Sequence, residues 1–427
     1  MSLHRTKSWL AAWGVLLLMA VSAFGQGVPD SQLMNGQMLD PSPPNAFGSG
    51  VGPNQGYFGS LEALYWTISP PGATAIGSPG LTRLVYSAPD QPAVQSNSMD
   101  TGFLKADWTW GHRFELGDIV EHHGWILGTY STRAQSQTPW EFGNVTMTID
   151  DREFGPENRR HLDGYVGLLP FDDTTIWSLL PLPLQFDYLK VDHITQSWSV
   201  EWMYMYRTHP LGFRRNTLME LFMGVRYMEF QDRFNVYGRG ARWKLNADDE
   251  PIAPQTILAD SEWLTNSNNH IIGPQLGVRL STRAGRWSLS TEGRFFAGFN
   301  FQSVRQSGYL GNHINEPYPI PLPDPNPPPE NAFPFTPAIR EPVTFKHVYN
   351  ANEFSPGIEF RVEGKCHLTR GLAFKAGYTL AYLDGIARAS NMVDYVWSET
   401  TVMGIRPDTN RQGVFMNGLT FGLEFNR

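Results

Sequence analysis

One cysteine, Cys366, is all the sequence offers, so no intramolecular disulfide can brace it. Charged residues make up only 17% of the chain, against about a quarter in ordinary proteins. The formal charge is −8, which leaves no broad cationic field to attract nucleic acid. Aromatic side chains are plentiful, but the basic groove that single-stranded nucleic-acid binding also needs is missing. Past the N-terminus no unbroken apolar run approaches the ~20 residues of a spanning helix. These absences exclude a disulfide scaffold, a nucleic-acid partner and a helical membrane bundle. If the chain lives in a membrane, it must do so as a closed barrel, the one strand arrangement that satisfies every backbone polar group in lipid.

What is present begins with an export signal. Arg5 and Lys7 precede the apolar run Trp9–Val21, and Ala23-Phe24-Gly25 supplies small residues for cleavage before Gln26. A charged start, a short apolar core and a small-x-small site define a secretory signal over residues 1–25. Residues 26–55 are rich in Pro, Gly, Asn and Ser without periodicity and read as a disordered leader. Residues 316–342, EPYPIPLPDPNPPPENAFPFTPAIREP, cannot be a central strand and read as an extended exposed loop.

From residue 56 onward the dominant signal is strict alternation. In GLAFKAGYTLAYLDG (371–385), Leu372, Phe374, Ala376, Tyr378, Leu380 and Tyr382 share one face, with Lys375, Gly377 and Thr379 opposite. The same pattern recurs in GYFGSLEALYW (56–66) and in a long segment placing Leu104, Ala106, Trp108, Trp110, Phe114 and Leu116 on one face. That segment is expected to turn at Gly117-Asp118 and return as GWILGTYS (124–131), with a weaker strand at 145–150. QSWSVEWMYMYR (196–207) leads through a turn at His209-Pro210-Leu211-Gly212 into LMELFMGVRYMEF (218–230). A further hairpin turns near Ala284-Gly285; Pro274 within it lacks a ladder donor, which places it near a strand end or a bulge. Residues 354–364 pair with the 371–385 strand through a 365–370 turn, and Phe415, Leu419, Phe421, Leu423 and Phe425 close the chain. Residues 67–100, 151–184, 244–262 and 301–345 read as loops.

The expectation is an all-β protein of roughly ten to fourteen antiparallel strands, even numbers being usual for bacterial barrels. A soluble sandwich also alternates, so periodicity alone does not choose. The apolar faces are dense in Trp, Tyr, Phe and Leu, while the opposite faces repeatedly carry Glu with Arg or Lys, which favours a transmembrane barrel with long loops on one side. ELFMGVRYMEF, NNHIIGPQLGVRL, RWSLSTEGRFF, GLAFKAGYTLAYLDG and NGLTFGLEF together resemble segments of the putative β-barrel porin family seven, over about residue 56 to the end. The resemblance implies an outer-membrane β-barrel but no enzymatic residues and no defined substrate. The sequence departs from the outer-membrane habit of a terminal aromatic, since Asn426-Arg427 follow Phe425.

Glu201, Arg207, Glu220, Arg226, Arg279, Glu292, Arg294, Glu359, Arg361 and Lys375 form the charged faces and are expected to face the lumen. Either they line a polar channel and set which solutes pass, or they pair with one another and fill the interior. Glu121-His122-His123 lacks the spacing of a zinc helix and reads as exposed turn. Asp248-Asp249-Glu250 reads as a solvated acidic turn. No nucleophile elbow or phosphate loop is present, and Cys366 beside His367 is not a catalytic pair by adjacency. The expected role is passive: a pore for small solutes or a structural component of the bacterial outer membrane, in contact with its lipid, with no catalytic residue, metal or cofactor. The alternative is an adhesin-like barrel acting through its long loops. A hydrolase is disfavoured by the lack of a nucleophile arrangement.

Overall fold

The computed structural model describes residues 56–77, 85–88, 91–93, 100–136, 140–147, 150–151, 184–208, 217–240, 260–310, 313–314, 339–340, 343–369, 371–397 and 402–426. The expected signal and leader, the 209–212 turn, Asp248-Asp249-Glu250 and nearly all of the Pro-rich stretch lie outside these residues.

Ten strands close a ring: β1 (Gly56–Ile68), β2 (Trp108–Val120), β3 (His123–Thr132), β4 (Leu184–Arg207), β5 (Thr217–Gly240), β6 (Ser261–Ala284), β7 (Trp287–Leu310), β8 (Val343–His367), β9 (Leu372–Ile386) and β10 (Gln412–Asn426). Each pairs antiparallel with the next. β1 also pairs with β10, from Phe58 with Asn426 to Ile68 with Met416, and this shuts the barrel. Two short strands, Gln135–Ser136 and Trp140–Met147, pair with β4 beyond the reach of β3. The all-β antiparallel barrel expected from alternation is the fold.

The short turns lie at one end. β2 turns into β3 through Glu121 and His122, with Glu121 at φ 54, and β6 into β7 through Gly285, at φ 61, and Arg286. Both ends of the barrel sequence, Gly56 and Asn426, lie at this end too. The long connections all leave from the other end, the usual asymmetry of outer-membrane barrels.

Outward side chains divide by height. On β5, Leu221, Met223 and Val225 are exposed; on β4, Val200, Trp202, Tyr204 and Tyr206; on β6, Ile272, Leu276, Val278 and Leu280. The band spans nine residues on β4, Trp198 to Tyr206, and nine on β5, Met219 to Tyr227, close to the ~9–11 that cross a bilayer. An exposed apolar band of this height, rich in Trp, Tyr and Phe, is the lipid-facing surface of a membrane barrel. Above Tyr227 the outward residues of β5 become Glu229, Gln231, Arg233 and Asn235. The inward residues there are mostly apolar instead, with Phe230, Phe234 and Val236 buried and Asp232 buried among them. β4 to β8 run 24 or 25 residues each, so their upper parts project on the order of 30 Å beyond the band.

That projection corrects several expected boundaries. β6 begins at Ser261, β7 continues to Leu310 and β8 starts at Val343, so 244–262 and 301–345 are loops only in part. Polar outward residues interleaved with buried apolar ones are strand where the wall stands in water, although they lack the aromatic face of the membrane band. β2 runs on to Val120, so the turn is at 121–122 and not at Gly117-Asp118. Leu104 is buried in the core beside a short 3-10 turn at Thr101–Phe103, outside the alternating face assigned to it. Pro274 sits in mid-strand: pairing with β7 lapses across Gly273 and Pro274, where the proline supplies no ladder donor, and resumes in unchanged register at Ile272 with Phe299 and Gln275 with Phe296.

Candidate functional site

The inward charges at the level of the apolar band form one continuous network. Arg207 donates to Glu220 at 2.6 Å, and Glu220 meets Arg279 at 3.3 Å. Arg279 reaches Glu292 at 2.5 Å, Glu292 pairs with Arg294, and Arg294 with Glu201. Glu201 accepts from Arg226 at 2.6 Å, and Arg226 reaches Glu359 at 2.9 Å. Glu359 pairs with Arg361, which reaches Glu115 at 2.8 Å. Arg113 lies 3.7 Å from Glu359 and 3.6 Å from Glu62, and Glu62 accepts from Lys375 at 2.7 Å. Lys375, Glu363, Lys365 and Glu424 complete it on β8, β9 and β10.

All ten charged positions singled out from the sequence meet in this network: Glu201, Arg207, Glu220, Arg226, Arg279, Glu292, Arg294, Glu359, Arg361 and Lys375. Glu62, Arg113, Glu115, Glu363, Lys365 and Glu424 join them, and the same inward parity identifies these six. Eight carboxylates face eight cations. Strand pairing sets the contacts: Glu220 faces Arg207 across β4–β5 and Arg279 across β5–β6, and Glu292 faces Arg279 across β6–β7 and Arg361 across β7–β8. In a low-dielectric interior such mutual pairing is what makes buried charge tolerable.

Above the charges lies an apolar layer in which Leu64, Trp66, Tyr130, Phe230, Ile271, Phe296 and Met416 pack together from across the barrel. Arg113 lies over Trp66 at 5.3 Å and Arg226 over Phe296 at 5.9 Å, joining the two layers by cation–π contact. A cavity of about 10 Å³ remains between them, lined among others by Trp66, Tyr130, Arg226, Arg294 and Glu359. This is room for about one water.

Higher still, the connection after β9 turns back into the barrel. Ile386 through Val393 are all buried. Gly385, at φ 69, begins the turn, and its carbonyl accepts from Asn300 Nδ2 at 2.9 Å and Gln302 Nε2 at 3.0 Å. Ala387 donates its N–H to Asn269 Oδ1 at 2.9 Å, and its carbonyl accepts from Ser267 Oγ at 2.8 Å. Asp232 of β5 anchors the segment, accepting from Arg388 Nε and from the Ala389 N–H, each at 2.9 Å. His193 and Thr195 of β4 bond the same carboxylate at 2.7 and 2.9 Å. Val393, Tyr395 and Met403 then pack against Val191, Phe234 and Trp263 of the wall. Sequence reasoning missed this segment because GIARASNMV has neither alternation nor a helical stripe.

Glu121 is an exposed turn residue, His122 Nδ1 lies 3.1 Å from the Arg207 carbonyl oxygen, and His123 is not turn but the exposed first residue of β3, paired with Val120 and Tyr206. Among the described residues no group of His, Cys, Asp and Glu is arranged to hold a metal.

A closed antiparallel ring with an apolar outer band and a polar interior defines the protein as an outer-membrane-type β-barrel. Residues 193–316, from within β4 past the end of β7, match the model of the family described as Putative beta barrel porin-7, the family whose motifs the strands resemble. No curated protein matches the chain. Among solved structures, the outer membrane protease OmpT from Escherichia coli is similar at 8% identity, covering 89% of this chain and 99% of its own, with a TM-score of 0.39. A Pseudomonas aeruginosa FadL homologue is similar at 9% identity, covering 92% and 95%, with a TM-score of 0.23. The P. putida toluene transporter TodX follows at 6% identity, covering 88% and 91%, with a TM-score of 0.19. Likeness this distant carries neither protease nor channel activity to this chain.

Proposed function

We propose that this protein is a non-enzymatic outer-membrane barrel whose lumen is closed in this conformation, and that it serves as a structural membrane component carrying its long loops on the far side. The observation behind this reading is the filling of the lumen at three levels: the balanced charge network, the Trp66–Phe296 layer and the segment anchored on Asp232. Ten strands enclose a space that side chains can fill, whereas wide aqueous channels take about sixteen or more. The test is conductance of the refolded full-length mature protein in a planar bilayer. Silence at moderate voltage, with insertion verified by heat-resistant migration, is the expected result. Discrete, reproducible conductance steps would overturn it.

The family match favours a second reading, a porin-like passive pore for small solutes. It requires that both the charge layer and the re-entrant segment move, because displacing either alone leaves the other in the lumen. Conductance steps whose ion preference shifts in Glu220→Gln would support the pore. The adhesin-like alternative rests on loops that lie mostly outside the described residues, and specific binding lost on loop deletion would support it.

A further inference from the structure

Among the described residues the cations of the interior network are all paired, whereas three neighbouring ones on the outer wall are not. Arg233 of β5, Arg305 of β7 and Lys346 of β8 point outward, each exposed, while their chain neighbours Asp232, Phe234, Val304, Gln306 and Phe345 are buried. Arg233 stands opposite Asn266 on β6, and Asn266 stands opposite Arg305 on β7. Lys346 is opposite Ser307, two residues along from Arg305. These register positions set three cations in one row across four adjacent strands, with an amide between the two arginines. Among the described residues none of the three has an ion-pair partner. The nearby outward carboxylates are engaged elsewhere: Glu229 accepts from Trp198 Nε1 at 2.8 Å, Glu262 from Asn235 at 3.0 Å, and Asp192 lies 3.7 Å from Lys190.

Height gives the row its meaning. Arg305 is four residues beyond Phe301, an exposed aromatic at the upper edge of the apolar band, and Arg233 is six beyond Tyr227. Side chains of this length reach the zone where lipid headgroups end the hydrocarbon, and each cation near an anionic membrane surface is attracted to it. Guanidinium groups match phosphate oxygens in pairs.

We propose that the Arg233–Asn266–Arg305–Lys346 row is a binding surface for the phosphate-bearing headgroups of anionic lipid in the leaflet on the loop side. It selects the lipid that borders one sector of the barrel, β5 to β8. The occupant is lipid because the row stands on the outer wall directly above the lipid-facing band and its charge is complementary to phosphate. The proposal holds whether the lumen is closed or conducting.

The test is the boundary-lipid selectivity of the full-length protein in phosphatidylcholine vesicles containing spin-labelled phosphatidylglycerol or spin-labelled phosphatidylcholine. Wild type should favour the anionic label by roughly threefold or more, falling toward unity in about 0.5 M salt. Arg233→Gln/Arg305→Gln/Lys346→Gln should lose that preference, and Arg233→Lys/Arg305→Lys should keep most of it. No preference in the wild type overturns the proposal without recourse to any variant. So does a triple variant that inserts, migrates as a folded barrel and selects the anionic label as well as wild type does.

Discussion

Arg388 and Asp232, 156 positions apart in sequence, meet inside the barrel at 2.9 Å and hold a returning segment against the wall that β4 and β5 form. Asp232 is fully buried and accepts from four groups, so Asp232→Asn leaves Arg388 without its counter-charge. Breaking a buried pair from one side costs about 3–5 kcal/mol. Urea or guanidinium unfolding of the inserted protein should show that loss. Asp232→Asn combined with Arg388→Met should cost less than the sum of the single changes.

The same carboxylate gives the segment an acid dependence. Burial would raise it, but Arg388, and after it His193, outweigh burial and hold the Asp232 carboxyl well below its ordinary 3.8. A group lowered in the folded state stabilises fully above its unfolded value and loses that contribution as pH falls through the folded one. Hydrogen-exchange protection at Ala387–Met392 should therefore be constant at neutral pH and decline from about pH 4 downward. In Asp232→Asn the protection should start lower and lack this acid step.

Glu201 is the hub of the charge layer, bonded by Arg226, Arg294 and Gln275. Glu201→Gln leaves an excess cation in a dry interior and should destabilise by about 3 kcal/mol or more. Planar-bilayer recording of the variant should remain silent, because the Trp66–Phe296 layer above it is unchanged. Conductance appearing with this one substitution would show that the charge network is the seal and that the Trp66–Phe296 layer does not close the lumen without it.

Met223 is exposed in the middle of the β5 band, with Leu221 and Val225 on either side. Met223→Arg places a charge in hydrocarbon and should cost about 2–4 kcal/mol in a refolding titration into vesicles. Val236→Arg, on the same strand but buried in the upper interior, should instead fail as a core substitution does, whatever lipid is present. Stability of Met223→Arg in vesicles equal to that of wild type would argue against the assigned membrane band.

Alternation by itself determined that this chain is built of strands and which residues share each charged face. The choice of a barrel rested on the Trp-, Tyr- and Phe-rich composition of the opposite faces, and closure of the ring decided it. The Trp202, Tyr204, Tyr206 face and the Glu201, Arg207 face separate at period two, and a one-residue slip would put charge into lipid. Pairing was legible only as a tendency, since sequence shows that Glu220 points inward but not that Arg207 and Arg279 are what it meets; strand register decides that. The upper wall was harder to read because it exchanges an aromatic lipid face for a mixed water face, and the signal that marks Leu221 and Met223 is gone by Gln231 and Asn235. The re-entrant segment was beyond sequence altogether. Ile386–Val393 carries no period, and its place is fixed by carboxylate, amide and hydroxyl groups of β4, β5, β6 and β7 that come together only when the ring closes.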